Sequence, residues 1–258
     1  FDTKFILRIP GLPKLTFFRT FFWKKISNKI YMVTCPSEQT KKDLVRSNIF
    51  PDEKLKIIYD PILDIKKIQK KLNSKIENNL PNNKKYFLNI GRLTRQKNQE
   101  LLIDVFSKLV KHNNNLYLYI VGDGEKKKIL RKMIIDKEVQ NNIFLLGYYE
   151  NVFPLIRNSS AVISTSLWED PGAVMIEAAY CNKLVISSNC PNGPEEFLEY
   201  GKGGYLFKNN DSIDLENKIN HFLNESENNK FEKKFISKKN SKKYSLFCHY
   251  QKLNKILV

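Results

Sequence analysis

The chain has 258 residues, 41% hydrophobic and 12% aromatic, enough apolar mass for one large domain or two smaller ones with packed cores. This composition excludes a disordered chain, and no stretch reaches the apolar length of a membrane span. The formal charge of +17 comes from lysines spread over the whole length, without a Cys/His finger, an RNA-binding signature or a basic heptad region, so a solvated basic surface is expected and no nucleic-acid partner.

In chain order, residues 5–9 read as a strand. Because the chain opens there without Met, an upstream portion is expected to be missing. Residues 13–28 are basic and amphipathic, with Leu15, Phe18, Phe22 and Ile26 at helical spacing beside Phe17, Phe21 and Trp23. With Arg19, Lys24 and Lys25, this run suits either peripheral contact with an anionic membrane or a core helix that other residues cover. A strand at 30–34 follows; Ser37 can cap a helix running to about Arg46, and 55–59 is a short strand ending at Pro61. Residues 66–85, rich in Lys and Asn and containing Pro81, read as low-order, which makes 65–85 the best linker.

From residue 86 the alternation sharpens. Strands are expected at 86–90, 116–121, 143–146, 161–165 and 184–187. Between them lie a helix traced by Leu101, Leu102, Val105, Phe106, Leu109 and Val110, a helix at 125–136 after the Gly122-Asp123-Gly124 turn, a short one around 152–157, and one at 173–180. A turn into a strand at 201–207, a helix at 211–224, a solvated Lys-rich segment at 230–243 and a terminal helix at 244–257 complete the reading. Strands joined by helices in this rhythm predict a parallel sheet covered on both faces, with a ligand at the carboxyl ends of its strands.

The chemistry-bearing residues fall at those ends. Gly91, Arg92 and Lys97 follow the strand at 86–90, and two cations on one loop suit a diphosphate, arginine as a planar fork and lysine as a point charge. Glu169 and Glu177 sit in a run that passes through Pro171-Gly172 into an apolar helix, a junction where free N–H groups receive a phosphorylated ligand. Taken singly, each has a plain alternative: surface charges, a turn, exposed acids. The four cysteines, Cys35, Cys181, Cys190 and Cys248, form no Cys-x-x-Cys pair and fit a reducing cytosol. His112, His221 and His249 are far apart in sequence, so neither a metal nor a cofactor is expected.

The order of the motifs is more specific than any one of them. Gly-Arg-x4-Lys-Asn after a strand, then Ile120-Val-Gly-Asp-Gly124, Phe144-Leu-Leu-Gly147, and Glu169-x7-Glu177-Ala178, resembles the retaining glycosyltransferases of family 4 from about residue 30 to the end. The resemblance implies an α/β fold of GT-B type: a C-terminal Rossmann-like domain at 86–240, the tail of an acceptor-binding Rossmann-like domain at 1–64, a linker at 65–85 and a crossover helix at 241–258. It implies a nucleotide-sugar donor, UDP-linked, used without a metal, and a glycan or lipid-linked acceptor met in the cytoplasm or at the inner face of the membrane. Arg92 and Lys97 then match the family's cations on the diphosphate, Glu177 the acceptor of ribose hydroxyls, and Glu169 the carboxylate at the donor sugar. Gly91 lies on the same loop; Gly172, Ala173 and Val174 match amides at phosphate and sugar, and Tyr148, Tyr149 and Val152 lie where the base is held. Many relatives have Phe before the glycine where this chain has Asp170-Pro171, a departure at the sugar contacts. Glu196, in a Gly-Pro-x-Glu stretch, orients the donor loop or simply starts a helix. With most of the acceptor half expected to be absent, the chain should bind nucleotide and transfer sugar poorly or not at all. The alternatives are a nucleotide-sugar epimerase of similar shape and a basic nucleic-acid module, the latter predicting salt-dependent binding and no response to UDP.

Overall fold

The structure, a computed structural model, describes residues 3–11, 15–75, 80 and 84–257. Its front part alternates β1 (Phe5–Arg8), α1 (Phe17–Ile26), β2 (Ile30–Cys35), α2 (Glu38–Arg46) and β3 (Leu55–Ile57). The three strands pair in parallel in the order β1-β2-β3 over a small core of Ile9, Val33, Cys35, Leu44, Ile49, Phe50 and Leu55. α2 begins where the sequence provides a cap: the Ser37 hydroxyl accepts the Thr40 amide at 3.1 Å.

α3 (Ile65–Leu72) corrects the reading of 65–85 as low-order. Asp64 caps it by accepting the Lys67 amide, Ile68 is buried, and Asn151 ties its end by donating to the Lys71 carbonyl at 2.9 Å. Four lysines in Ile65–Leu72 hid a helix whose stabilisation comes from one apolar stripe and a cap rather than from composition. Residues 76–79 and 81–83 lie outside the described residues.

The larger part runs β4 (Phe87–Ile90), α4 (Gln99–His112), β5 (Leu118–Val121), α5 (Lys127–Asp136), β6 (Ile143–Gly147), α6 (Phe153–Asn158), β7 (Ala161–Ser164), α7 (Ala173–Tyr180), β8 (Leu184–Ser188), α8 (Pro194–Phe197), β9 (Tyr205–Phe207) and α9 (Ser212–Asn224). Its strands form one parallel sheet in the order β6-β5-β4-β7-β8-β9. Alternate residues feed opposite faces: Leu118 and Ile120 join α4, α5 and α9 in one core, whereas Tyr119 and Val121 join α6 and α7 in the other. The expectation of a doubly covered parallel sheet holds. Strand order reverses between β4 and β7, so their carboxyl ends diverge into the crevice where ligands of such sheets bind.

Gly122, just past β5, shows how tightly this edge is built. Its φ is +142°, and a Cβ there would lie 1.9 Å from the Gly91 carbonyl oxygen, so only glycine lets the loop after β5 close on the loop after β4.

α10 (Glu227–Ser241) corrects the reading of 230–243 as solvated. Of its lysines only Lys239 is exposed, Lys230 and Lys233 lie 4.9 and 5.5 Å from the ring centres of Phe222 and Tyr205, and Ser237, Asn240 and Ser241 are buried, with Asn240 donating to the Phe197 carbonyl at 3.1 Å. α11 (Leu246–Leu257) then returns to the front part, where the Leu246 amide donates to the Leu63 carbonyl and His249 Nδ1 lies 2.8 Å from the Tyr59 carbonyl oxygen.

Candidate active site

At the carboxyl ends of β4 and β7 lies a cavity of about 350 Å³ lined by Ile90, Arg92, Gln96, Lys97, Ile163, Ser164, Glu169, Asp170, Gly172, Ala173, Val174 and Met175. The loops that follow the two strands are laced together. The Thr165 hydroxyl points at the Lys97 and Asn98 carbonyls at 2.9 and 3.0 Å, the Leu167 amide donates to the Gln96 carbonyl at 2.8 Å, and Gln96 Nε2 donates to the Trp168 carbonyl at 2.9 Å. Fully buried Gln99 donates to the Arg92 carbonyl at 3.1 Å.

Within this frame Lys97 Nζ donates to Glu169 Oε1 at 2.6 Å, and the Ser166 hydroxyl donates to the same oxygen at 2.5 Å. Glu169 is buried, and a cation and a hydroxyl meet the same carboxylate oxygen. Gly91 does not line the cavity; a Cβ there would stand 3.3 Å from the Lys97 stem, and glycine thus leaves that stem its path. Arg92 is exposed at the cavity and makes no ion pair among the described residues, so its guanidinium is available to an anion.

The far wall is the start of α7. Gly172 precedes it in the left-handed region at φ +92°, and the first amides to find intrahelical acceptors are those of Met175 and Ile176, both on the Gly172 carbonyl. The Ala173 and Val174 amides, two residues earlier in the first turn, find no acceptor among the described residues and present the positive end of the helix at the cavity. Two cations and a helix start thus border one space, a set of groups whose chemistry suits an anion.

Glu177 is one helical turn beyond Ala173 and lies outside the cavity lining. Burial pushes its carboxyl up to about 7, with Lys71 pulling the other way. Tyr149 and Val152 are not brought to the cavity: Tyr149 is buried in the core under α6, Val152 packs against that core, and Tyr148 is exposed at the end of β6. The pattern after a strand places a loop but leaves open which of two adjacent tyrosines turns inward.

Sequence reasoning passed over Ser166, Gln96 and Asp170 as site residues. Ser166 stands three residues before Glu169, the spacing of a turn, which is a readable signal. Asp170 stands out in the sequence only as a departure at the sugar contacts, and nothing there announces what its carboxyl meets. Its carboxyl abuts Gly11 of the front part, where a Cβ would lie 2.2 Å from Oδ2. Burial, and then the nearby charge of Asp60, raise its pKa, while Arg8 opposes them.

Glu196 bridges the two parts, accepting the Glu38 amide at the start of α2 and the Tyr59 hydroxyl, both at 2.8 Å. Beside it, buried Asn192 Oδ1 lies 3.2 Å from the hydroxyls of Ser37 and Thr40. Tyr59→Phe should cost about 1 kcal/mol, the net value of one hydrogen bond to a carboxylate that retains another donor, read as a lowered midpoint in urea. An unchanged midpoint would mean that this contact does not stabilise the junction.

The family described as glycosyl transferases group 1 matches residues 70–242. An uncharacterized glycosyltransferase of Methanocaldococcus jannaschii is 32% identical over 229 residues, covering 80% of this chain and 56% of its own length. A poly(ribitol-phosphate) alpha-N-acetylglucosaminyltransferase of Staphylococcus aureus is 36% identical over 135 residues, 52% of this chain and 27% of its own. Among solved structures, an S. aureus TarM variant in complex with fondaparinux, alpha-GlcNAc-glycerol and UDP superposes with a TM-score of 0.75 at 25% identity, over 98% of this chain and 50% of that one. The chain therefore spans about half the length of these relatives, or less, and shares the GT-B fold of the solved one. With two thirds of its length inside the matched region and the loops after β4 and β7 at the centre of it, this chain belongs to the group 1 glycosyl transferases.

Proposed function

We propose that the protein is a retaining glycosyltransferase of family 4 that moves a sugar from a UDP-sugar to a glycan or lipid-linked acceptor without a metal ion, and that this chain carries the donor site. One observation supports this above the others: Arg92, Lys97, Glu169 and the α7 amides surround a single cavity at the switch point of the sheet. The relative that forms a complex with UDP, and the one named for a poly(ribitol-phosphate) acceptor, support the donor and acceptor classes.

In this reading the bond from the sugar C1 to the terminal phosphate oxygen breaks, and charge grows on the leaving diphosphate. Arg92, Lys97 and the Ala173 and Val174 amides receive it, each prepositioned donor contributing about 3 kcal/mol to the transition state. The acceptor hydroxyl forms the new bond to C1 on the face that the phosphate leaves, and its proton passes to the departing phosphate oxygen, which retains the anomeric configuration. Glu169, already held by Lys97 and Ser166, is a positioning and electrostatic group at the sugar. Glu177 is the acceptor for a ribose diol. A cytoplasmic setting agrees with the four free cysteines.

The test is donor binding followed by product analysis. UDP and a UDP-sugar should raise the unfolding temperature, with the same response in excess EDTA, and a longer chain restoring the relatives' length should yield an acceptor-linked sugar of retained configuration. Release of an epimerised sugar, or salt-dependent nucleic-acid binding with no response to UDP, would overturn the reading.

A further inference from the structure

α1 has ten residues and none is buried. Phe17, Phe18, Phe21 and Phe22 are 80%, 73%, 55% and 58% exposed, and at ~100° per residue they occupy an arc of about 140°. The rings pack edge to face in two pairs, Phe17 with Phe18 and Phe21 with Phe22, with centroids 5.8 and 5.9 Å apart, one turn after the other along one side of the helix. The other side of the helix attaches it to the fold: Trp23 meets Phe50 at 5.9 Å against the core of the first sheet. A water-facing helix would turn its phenylalanines inward, whereas this one spends a tryptophan inward and leaves four phenylalanines out.

The charges say what the ridge fits. There is no acid in the first turn of α1, Lys24 and Lys25 fill its last turn, and exposed Lys29 follows. By rotation Lys25 falls within the aromatic arc and Lys24 at its edge. Aromatic rings framed by ammonium groups match an anionic lipid surface, rings at the acyl boundary and cations among the phosphates. A polar partner would leave the rings wet, and a purely apolar one would strip the lysines of water. α1 belongs to the same front part of the fold as Gly11, which abuts Asp170 at the cavity rim.

We propose that the Phe17, Phe18, Phe21 and Phe22 ridge of α1, with Lys24, Lys25 and Lys29, docks on an anionic membrane surface and holds the donor cavity beside a lipid-linked acceptor. The docking stands on α1 alone; the choice of acceptor rests on the glycosyl-transfer reading of the cavity.

The experiment is sedimentation of the chain with phosphatidylcholine vesicles, with and without about 30 mol % phosphatidylglycerol. The chain should pellet with the anionic vesicles alone and leave them at high salt. Lys24→Glu with Lys25→Glu should weaken partition at least about tenfold, and Phe17→Ser, Phe18→Ser, Phe21→Ser and Phe22→Ser together should abolish it. An unchanged response of these variants to UDP shows that the fold is intact, and absence of that response in the parent chain sinks the donor reading without touching the docking. No binding to anionic vesicles, binding that survives loss of the four rings, or a self-associated chain that the ring substitutions dissociate would each overturn the proposal.

Discussion

Arg92→Ala should lower UDP affinity by about 10- to 100-fold and leave the unfolding midpoint unchanged, whereas Lys97→Met should lower both. The difference follows from what each cation touches before any ligand arrives. Arg92 is exposed and makes no ion pair among the described residues, so its removal should delete only the charge-assisted bonds that the proposed diphosphate would accept from it. Lys97 already neutralises buried Glu169 at 2.6 Å, and methionine keeps the stem but strands the carboxylate beside Ser166 alone. Removing one partner of such a pair costs about 3 kcal/mol, mostly the penalty of an uncompensated buried charge. Adding Glu169→Gln to Lys97→Met should therefore restore the midpoint and not the UDP affinity. Calorimetry with UDP and urea melts of the three variants check this, and an unchanged UDP affinity in Arg92→Ala would remove the diphosphate from the cavity.

Much of this arrangement was legible in the sequence because it is carried by local signals. The Ala173 to Tyr180 helix was read to the residue, since Gly172 before it and an apolar run inside it leave little choice. The parallel sheet followed from alternation, and the loops after β4 and β7 followed from strand ends. The illegible parts are those that depend on contacts distant in sequence. Nothing in Lys66 to Lys71 announces that Ile68 is covered by α6, and nothing in Lys230 to Ser241 announces that Ser237 settles beside Gly203 while Asn240 bonds the Phe197 carbonyl. The pairing of Lys97 with Glu169, 72 residues apart, was expected only as shared occupancy of a cleft, and the structure makes it a direct bond. The Asp170 carboxyl against Gly11 had no local signal at all, because a bare Cα in one loop shows its purpose only when the other loop arrives.

Glu177→Gln should stabilise the unliganded chain at pH 8 by about 2 kcal/mol and change nothing at pH 4.5. Burial holds this carboxyl near 7 in the folded chain, against 4.5 for a free one. With the folded value above the unfolded one, its contribution is fully present below about pH 4.5, where it is protonated in both states. It is lost as pH rises through 7, where the folded chain must carry a buried carboxylate. Lys71 offsets part of that cost and keeps the charge tolerable. The proposed ribose contact would invert the balance: a vicinal diol donates two hydrogen bonds to an ionised carboxylate and fewer to a neutral one. A UDP-sugar, whose diphosphate is fully ionised across this range, should then bind more tightly at pH 8 than at pH 5.5 and release protons near pH 6.5, while the glutamine variant shows neither trend. Calorimetry in two buffers of different ionisation enthalpy reads the released proton directly. If binding of the parent chain releases none, Glu177 does not face the ribose, and its raised pKa is only a cost of folding α7 against α3.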